Sequence, residues 1–371
     1  MKNNWQIKKL DEVCKIIMGQ SPPSDTYNEN EIGMPFFQGK AEFTDLYPIA
    51  RKYCNKPKKI AEPFDILLSV RAPVGTTNIA NQQCCIGRGL ATLRFENYKY
   101  GFYFLRSIQY ELDSKGTGTT FRAISGETIR ETLIPYPCIE TQKAIVSKIE
   151  ELFSELDKGI EDLKTAKQQL KTYRQSVLKW AFEGKLTNEN VKDGLLPKGW
   201  SKLKIKDICD IKGGKNQKKV INPNGKYPIY GSSGIFGYAD EYICDENTTI
   251  VGRKGNINSP LFVTTKFWNV DTAFGLCVNE KYESKLLFYF CLGFNFKKLD
   301  KSTTIPSLAK SDILSIDIQV PPLNEQLQIV QEIESRLSVA DKMEESIAHS
   351  LLQAESLRQS ILKKAFSGEL V

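Results

Sequence analysis

The chain has 371 residues, 41% of them apolar, enough for two or three domains with real cores. Nine scattered cysteines with no C-x-x-C pair argue against a disulfide framework, and a single histidine, His349, argues against a zinc site. The net charge of +7 is carried by residues 1–138 (+4) and 188–322 (+5), whereas 139–187 (+1) and 323–371 (−3) hold little of it, so a polyanion would meet the first pair of segments.

The opening, Met1-Lys2-Asn3-Asn4-Trp5, has no hydrophobic signal region, and the longest apolar run, 286–296, is about half a membrane span. A soluble, cytoplasmic protein without a membrane partner is expected. The first globular part starts at Trp5 with a strand-rich stretch through Leu10, Cys14 and Ile16, closed by Gly19. Dense turn chemistry follows at Ser21-Pro22-Pro23-Ser24. The run 65–71 reads as a strand that delivers Arg71, with Gly75 close behind, and the aromatic stretch 100–110 reads as a helix packed on the sheet. Thr119-Thr120-Phe121-Arg122-Ala123-Ile124 and a short helix and strand then lead to Pro135-Tyr136-Pro137.

A long amphipathic helix is predicted over 142–186. Ile145, Ile149, Leu152, Leu156, Ile160, Leu163, Leu170, Tyr173 and Val177 recur at three- and four-residue steps and make one continuous stripe. Some 45 residues at 1.5 Å each make a rod of roughly 65 Å, which cannot bury that stripe alone. Gly184 follows its last apolar residues, as a helix C-terminus requires, and 187–199 form a polar linker.

The second half repeats the first. Trp200, Ile205, Cys209 and Ile211 align with Trp5, Leu10, Cys14 and Ile16, and Gly214 with Gly19. The run 248–253 delivers Arg253, followed by Gly255; 285–299 reads as helical; Thr303-Thr304-Ile305-Pro306-Ser307-Leu308 matches 119–124. Residues 323–371 match 139–187 without a gap, about two positions in five being identical. The second stripe runs Ile329, Ile333, Leu337, Ala340, Met343, Ile347, Leu351, Ala354, Leu357, Ile361. The fold class expected is α+β: two similar globular domains, 1–138 and 188–322, separated by two long helices, 139–187 and 323–371. The helices are expected to pair as an antiparallel coiled coil with pseudo-two-fold symmetry.

Taken in order, these motifs identify a resemblance. The W-x4-L-x-E-V and W-x4-I-x-D-I openings, Gly87-Arg88-Gly89-Leu90-Ala91, and the T-T-F-R-A-I and T-T-I-P-S-L segments belong to it. So do the P-x-x-x-x-Q-x-x-I-V helix starts and the A-F-E-G-K-L-T and A-F-S-G-E-L-V helix ends. The chain resembles, over nearly its whole length, the specificity (S) subunit of type I restriction–modification enzymes. The resemblance implies two target recognition domains, one for each half of a bipartite site in double-stranded DNA. It also implies long helices that set the spacing and dock methyltransferase (M) subunits, with restriction–translocase (R) subunits in the larger complex. S-adenosylmethionine is then the M partner's cofactor, and no cofactor is expected in this chain.

No catalytic residues are expected. There is no N/D-P-P-Y/F strand end, no G-x-x-x-x-G-K-[ST] loop, and Glu183-Gly184-Lys185 reads as a helix cap. DNA contacts are expected from Arg71, Arg88, Lys115, Thr119, Thr120 and Arg122 in the first domain. In the second they are expected from Lys215, Lys218, Lys219, Arg253, Lys254, Thr303, Thr304 and Lys310. The paired threonines recur in both domains and therefore suit shared architecture or phosphate better than discrimination. Two other readings stay open: a specificity subunit of a type IIB-like enzyme, and a coiled-coil scaffold whose terminal domains bind protein.

Overall fold

A computed structural model describes residues 5–118, 122–188, 191–192 and 194–371. It divides into two compact units, Met1–Leu163 with His349–Val371, and Lys164–Ala348.

In the first unit the strand Gln6–Lys9 pairs antiparallel with Leu133–Tyr136, and the one-turn helix Leu10–Val13 drops Leu10 into the core. The main sheet has four strands in the order Cys14–Met18, Leu90–Phe95, Ile66–Ser69, Thr77–Ile79. Ile66, Leu67 and Leu68 are all fully buried, because both faces of that central strand are covered; a continuous apolar run is what such a strand needs. The helix Tyr98–Ser107 starts where the Asn97 side chain accepts from Tyr100 N (3.3 Å) and buries Tyr100, Phe104 and Leu105. A second sheet of short strands is centred on Met34–Phe37, which runs parallel to Cys84–Ile86.

The second unit repeats these registers. Met18 lies opposite Ala91, and Gly213 opposite Phe274; Ser69 lies opposite Leu90, and Gly252 opposite Ala273. Gln6 faces Tyr136 as Ser201 faces Val320. The correspondence reaches into the middles, whose sequences have diverged: Phe36 beside Cys85 is matched by Ile229 beside Trp268, again in a parallel pair. Backbone pairing outlasts side-chain identity because the ladder uses main-chain groups that every residue but proline supplies.

The long helices are Ile139–Phe182 and Leu323–Ser367. The first starts before residue 142 and stops short of 186, for reasons found at its two ends. At the start, buried Gln142 donates Nε2 to the Pro137 carbonyl (3.0 Å) and buried Gln326 donates to that of Pro321 (2.8 Å), folding the proline turn back onto the helix. At the end, Gly184 (φ 77°) and Gly368 (φ 81°) take left-handed conformations. Lys185 N then donates to Trp180 O (2.9 Å) and Glu369 N to Lys364 O (3.0 Å), closing both helices in the same Schellman-type cap.

Each unit contains a piece of both long helices. In the first, Phe366 packs edge-on to Tyr100 (5.2 Å) and Phe104 (5.4 Å), while Glu150 accepts from Lys99 (2.8 Å) and the Tyr103 hydroxyl (3.5 Å). In the second, Phe182 packs edge-on to Phe290 (5.3 Å), and Glu334 accepts from Lys285 (2.6 Å) and Tyr289 (3.5 Å). Asp157 pairs with Arg358 in the first unit as Asp341 pairs with Arg174 in the second. The apolar stripe is thereby corrected at two points. Met343 is 52% and Leu357 49% exposed, because Glu344 and Arg358, one residue further on, take the half-buried positions and form ion pairs there. Among the described residues no helix is long and apolar enough to cross a membrane, and no group of three metal-binding side chains occurs.

Candidate nucleic-acid interface

Each unit presents its cations from the same arrangement, a central strand running out beside a tight turn. In the first, Leu90 N donates to Gly87 O (3.0 Å) across residues 87–90, and in the second Ala273 N donates to Val270 O (2.9 Å) across 270–273. Gly19 and Gly214 hold these turns at close range. A Cβ on Gly19 would lie 2.2 Å from Gly87 O, and one on Gly214 would lie 1.8 Å from Val270 O, so only glycine admits the approach. The next residues complete the frame: Gln20 N donates to Ile86 O (3.1 Å) and Lys215 N to Asn269 O (3.0 Å).

The closing segments 122–124 and 306–308 add the third wall. Ile124 N donates to Val70 O (3.0 Å) and Leu308 N to Arg253 O (2.9 Å), with bridges between Arg71 and Ala123 and between Lys254 and Ser307. The structural counterpart of Arg71 is therefore Lys254. Arg253 occupies the place of buried Val70, and its guanidinium stays at the surface over the Phe274 ring (5.9 Å) while donating to Asp271 O (3.3 Å).

Arg71 and Arg88 are both exposed and line one open cleft of about 400 Å³ with Gln38, Lys40 and Ser69. Arg253 and Lys310 line a cleft of about 560 Å³ in the second unit, together with Lys301 and Ser307. Lys310 is tethered there: its Nζ donates to Ile211 O (2.6 Å) and lies 3.9 Å from Asp210. Lys115 pairs with Glu111 (2.6 Å) one helical turn back, and Arg122 reaches Asp113 at 3.5 Å. Thr119 and Thr120 lie outside the described residues. Thr303 and Thr304 are exposed on a loop gathered around Asp300, whose carboxylate accepts from Ser302 Oγ (2.6 Å), Ser302 N (3.0 Å) and Ser307 N (3.1 Å). Those bonds hold the Asp300 carboxyl below its usual range. Lys215, Lys218, Lys219 and Lys254 are exposed and outside the two clefts.

Glu183 and Lys185 pair at 2.8 Å beside the left-handed Gly184, which is the geometry of a helix cap. Lys40, Gln38 and Lys301 join the clefts without having been singled out in the sequence. Their signal is positional, since it depends on which strand ends the sheets bring together.

Comparison with known proteins places this geometry. The family model described as the type I restriction modification DNA specificity domain matches residues 2–165 and again 197–351. The chain is 25% identical over 407 residues to the type I restriction enzyme EcoDI specificity subunit of Escherichia coli, covering 99% of this chain and 89% of that protein. It is 40% identical over 189 residues to the putative type I restriction enzyme MjaX specificity subunit of Methanocaldococcus jannaschii; that match covers 49% of this chain and spans only 44% of the relative's length. In fold it is similar to the crystal structure of the HsdS subunit from Thermoanaerobacter tengcongensis, with a TM-score of 0.70, 19% identity, and coverage of 100% of this chain and 98% of the other.

Proposed function

The chain belongs to the type I restriction modification DNA specificity family, and on that premise we propose that it is the non-catalytic subunit that reads DNA for a restriction–modification enzyme. Each unit reads one half of a bipartite site in double-stranded DNA, and the two long helices pair as an antiparallel coiled coil on which M subunits dock. The observation that carries this reading is the repeated strand register with different residues on its rim. One scaffold presented twice suits two half-sites of different sequence. The ion pairs Lys167–Glu344 and Arg174–Asp341 of the second unit support antiparallel pairing, because from the first pair to the second the residue number rises on one helix and falls on the other.

The candidate contacts divide by chemistry. Arg71, Arg88, Arg122, Arg253 and the lysines at 115, 215, 218, 219, 254 and 310 supply charge to phosphate or donors to base edges. Thr119, Thr120, Thr303 and Thr304 suit phosphate. S-adenosylmethionine is bound and used by the M partner, R subunits join the cleaving complex, and the assembly works in the cytoplasm.

The test is methylation. The purified chain alone should transfer no methyl group, and mixed with its M subunit it should direct methylation to a motif of two short elements with an unread gap. Methylation by the chain alone, or a motif without a gap, would sink the proposal.

A further inference from the structure

We propose that one turn position, Arg88 in the first unit and Asp271 in the second, is the base-reading position of each half. The inference rests on the DNA-recognition function above and deepens it, by separating residues that discriminate from residues that only hold.

The two residues occupy the same place. Each is the second residue of its turn, 87–90 or 270–273, and each turn is fixed on both sides by matching bonds. On one side are the bonds from Gln20 N and Lys215 N; on the other, Val70 N donates to Gly89 O (2.9 Å) and Arg253 N to Thr272 O (2.8 Å). With the frame held in common, only the side chain differs, and it differs in sign of charge. Both side chains are exposed, and neither has a hydrogen bond or ion pair among the described residues. Arg253 approaches Asp271 only at its main-chain carbonyl, which leaves the carboxylate open.

Charge inversion in a shared frame decides the role. A phosphate contact would require a donor or cation in both units, and the neighbouring pair Arg71 and Lys254 meets that requirement. A carboxylate beside a polyanion is tolerated where a base amino group donates to it. Arg88 thus matches the O6 and N7 acceptors of guanine, and Asp271 the N4 amino group of cytosine, both in the major groove.

The experiment selects bound sequences from a random double-stranded DNA library with the full chain assembled on its M subunits. Arg88→Gln should relax or recode one guanine of one half-site, cutting discrimination there by roughly ten- to a hundredfold, and Asp271→Ala should relax one cytosine of the other half-site. Arg88→Lys, which keeps the charge and loses the two-pronged donor, should lose the same guanine preference with an unchanged salt dependence. Arg71→Gln and Lys254→Gln should weaken all sequences alike and reduce the salt slope by about one, with the motif intact. Far-ultraviolet circular dichroism shows which variants are folded. An unchanged motif in folded Arg88→Gln and Arg88→Lys, or both positions acting on one half-site, overturns the inference while leaving the function standing. A wild-type complex that selects no bipartite motif overturns both.

Discussion

Arg174 bridges two carboxylates of the second long helix, with Nη1 2.6 Å from Asp341 Oδ1 and Nη2 3.0 Å from Glu344 Oε2. Its side chain is 27% exposed and Asp341 is 68% exposed, so the bridge sits at a rim where solvent screens it. Arg174→Ala should cost about 1 kcal/mol or less. Arg174→Glu should cost more, because it sets three carboxylates together, and Tm should fall by several degrees. Adding Asp341→Lys and Glu344→Lys should recover most of the loss in calorimetry; no recovery would mean that the contact does not pair the helices.

Gln326 is more deeply committed than its counterpart. Besides its bond to Pro321, Nε2 donates to Lys281 O (3.1 Å), and Oε1 accepts from Glu283 N (2.6 Å). Gln326→Leu removes the bonds of three main-chain partners, of which Pro321 is buried, and should cost about 2–3 kcal/mol, whereas Gln142→Leu should cost about 1–2 kcal/mol. Urea unfolding of both variants measures the difference, and equal costs would show that the extra bonds contribute nothing.

Gly19→Ala and Gly214→Ala should each destabilise by about 1–3 kcal/mol, since the carbonyl met by the new methyl is backbone and cannot swing away. Gly159 is the control. A Cβ there would meet nothing within 4 Å, and the residue sits within a helix, so Gly159→Ala should stabilise by about 0.5–1 kcal/mol. Thermal melts of the three variants should split in sign.

The Cys277 thiol lies beside Cys244 and 3.5 Å from the Thr248 hydroxyl, and hydrogen bonding from these two groups favours its thiolate, drawing it below the usual thiol range against the effect of burial. Burial pushes Cys209 up to about 12. A thiolate is populated above its pKa, so alkylation of Cys277 by iodoacetamide should set in at lower pH than an ordinary thiol's, long before Cys209 reacts. Cys244→Ala removes one of the two donors and should move the Cys277 profile to higher pH. A Cys277 that labels no earlier than Cys209 would contradict the assignment.

The duplication was legible where it is written in side chains. The helix starts at Gln142 and Gln326, the caps at Gly184 and Gly368, and the tight glycines 19 and 214 perform one job twice and keep one residue type. The middles were not legible, because Phe36 and Ile229, or Cys85 and Trp268, share only a place in a ladder. Reading strand ends by their arginines set Arg71 beside Arg253, one residue out of the register that the backbone bonds impose. Asp271 escaped for a different reason: a search for positive charge passes over a carboxylate, and its position carries meaning only once the two turns are overlaid. Glu344 and Arg358 were missed because the stripe was followed through apolar residues alone.

The first unit is assembled from chain that is far apart in sequence. Ile361, Leu362, Ala365 and Phe366 share a core with Leu10, Tyr100 and Ile145, whereas the second unit is one uninterrupted stretch, Lys164–Ala348. During synthesis the ribosome therefore releases everything the second unit needs before the first can close. Residues 5–163 must wait, with Tyr100 and Phe104 uncovered, until the last turns of helix emerge. A chain ending after residue 348 would hold every residue of the second unit and leave the first one open, and that interval is when chaperones have most to protect.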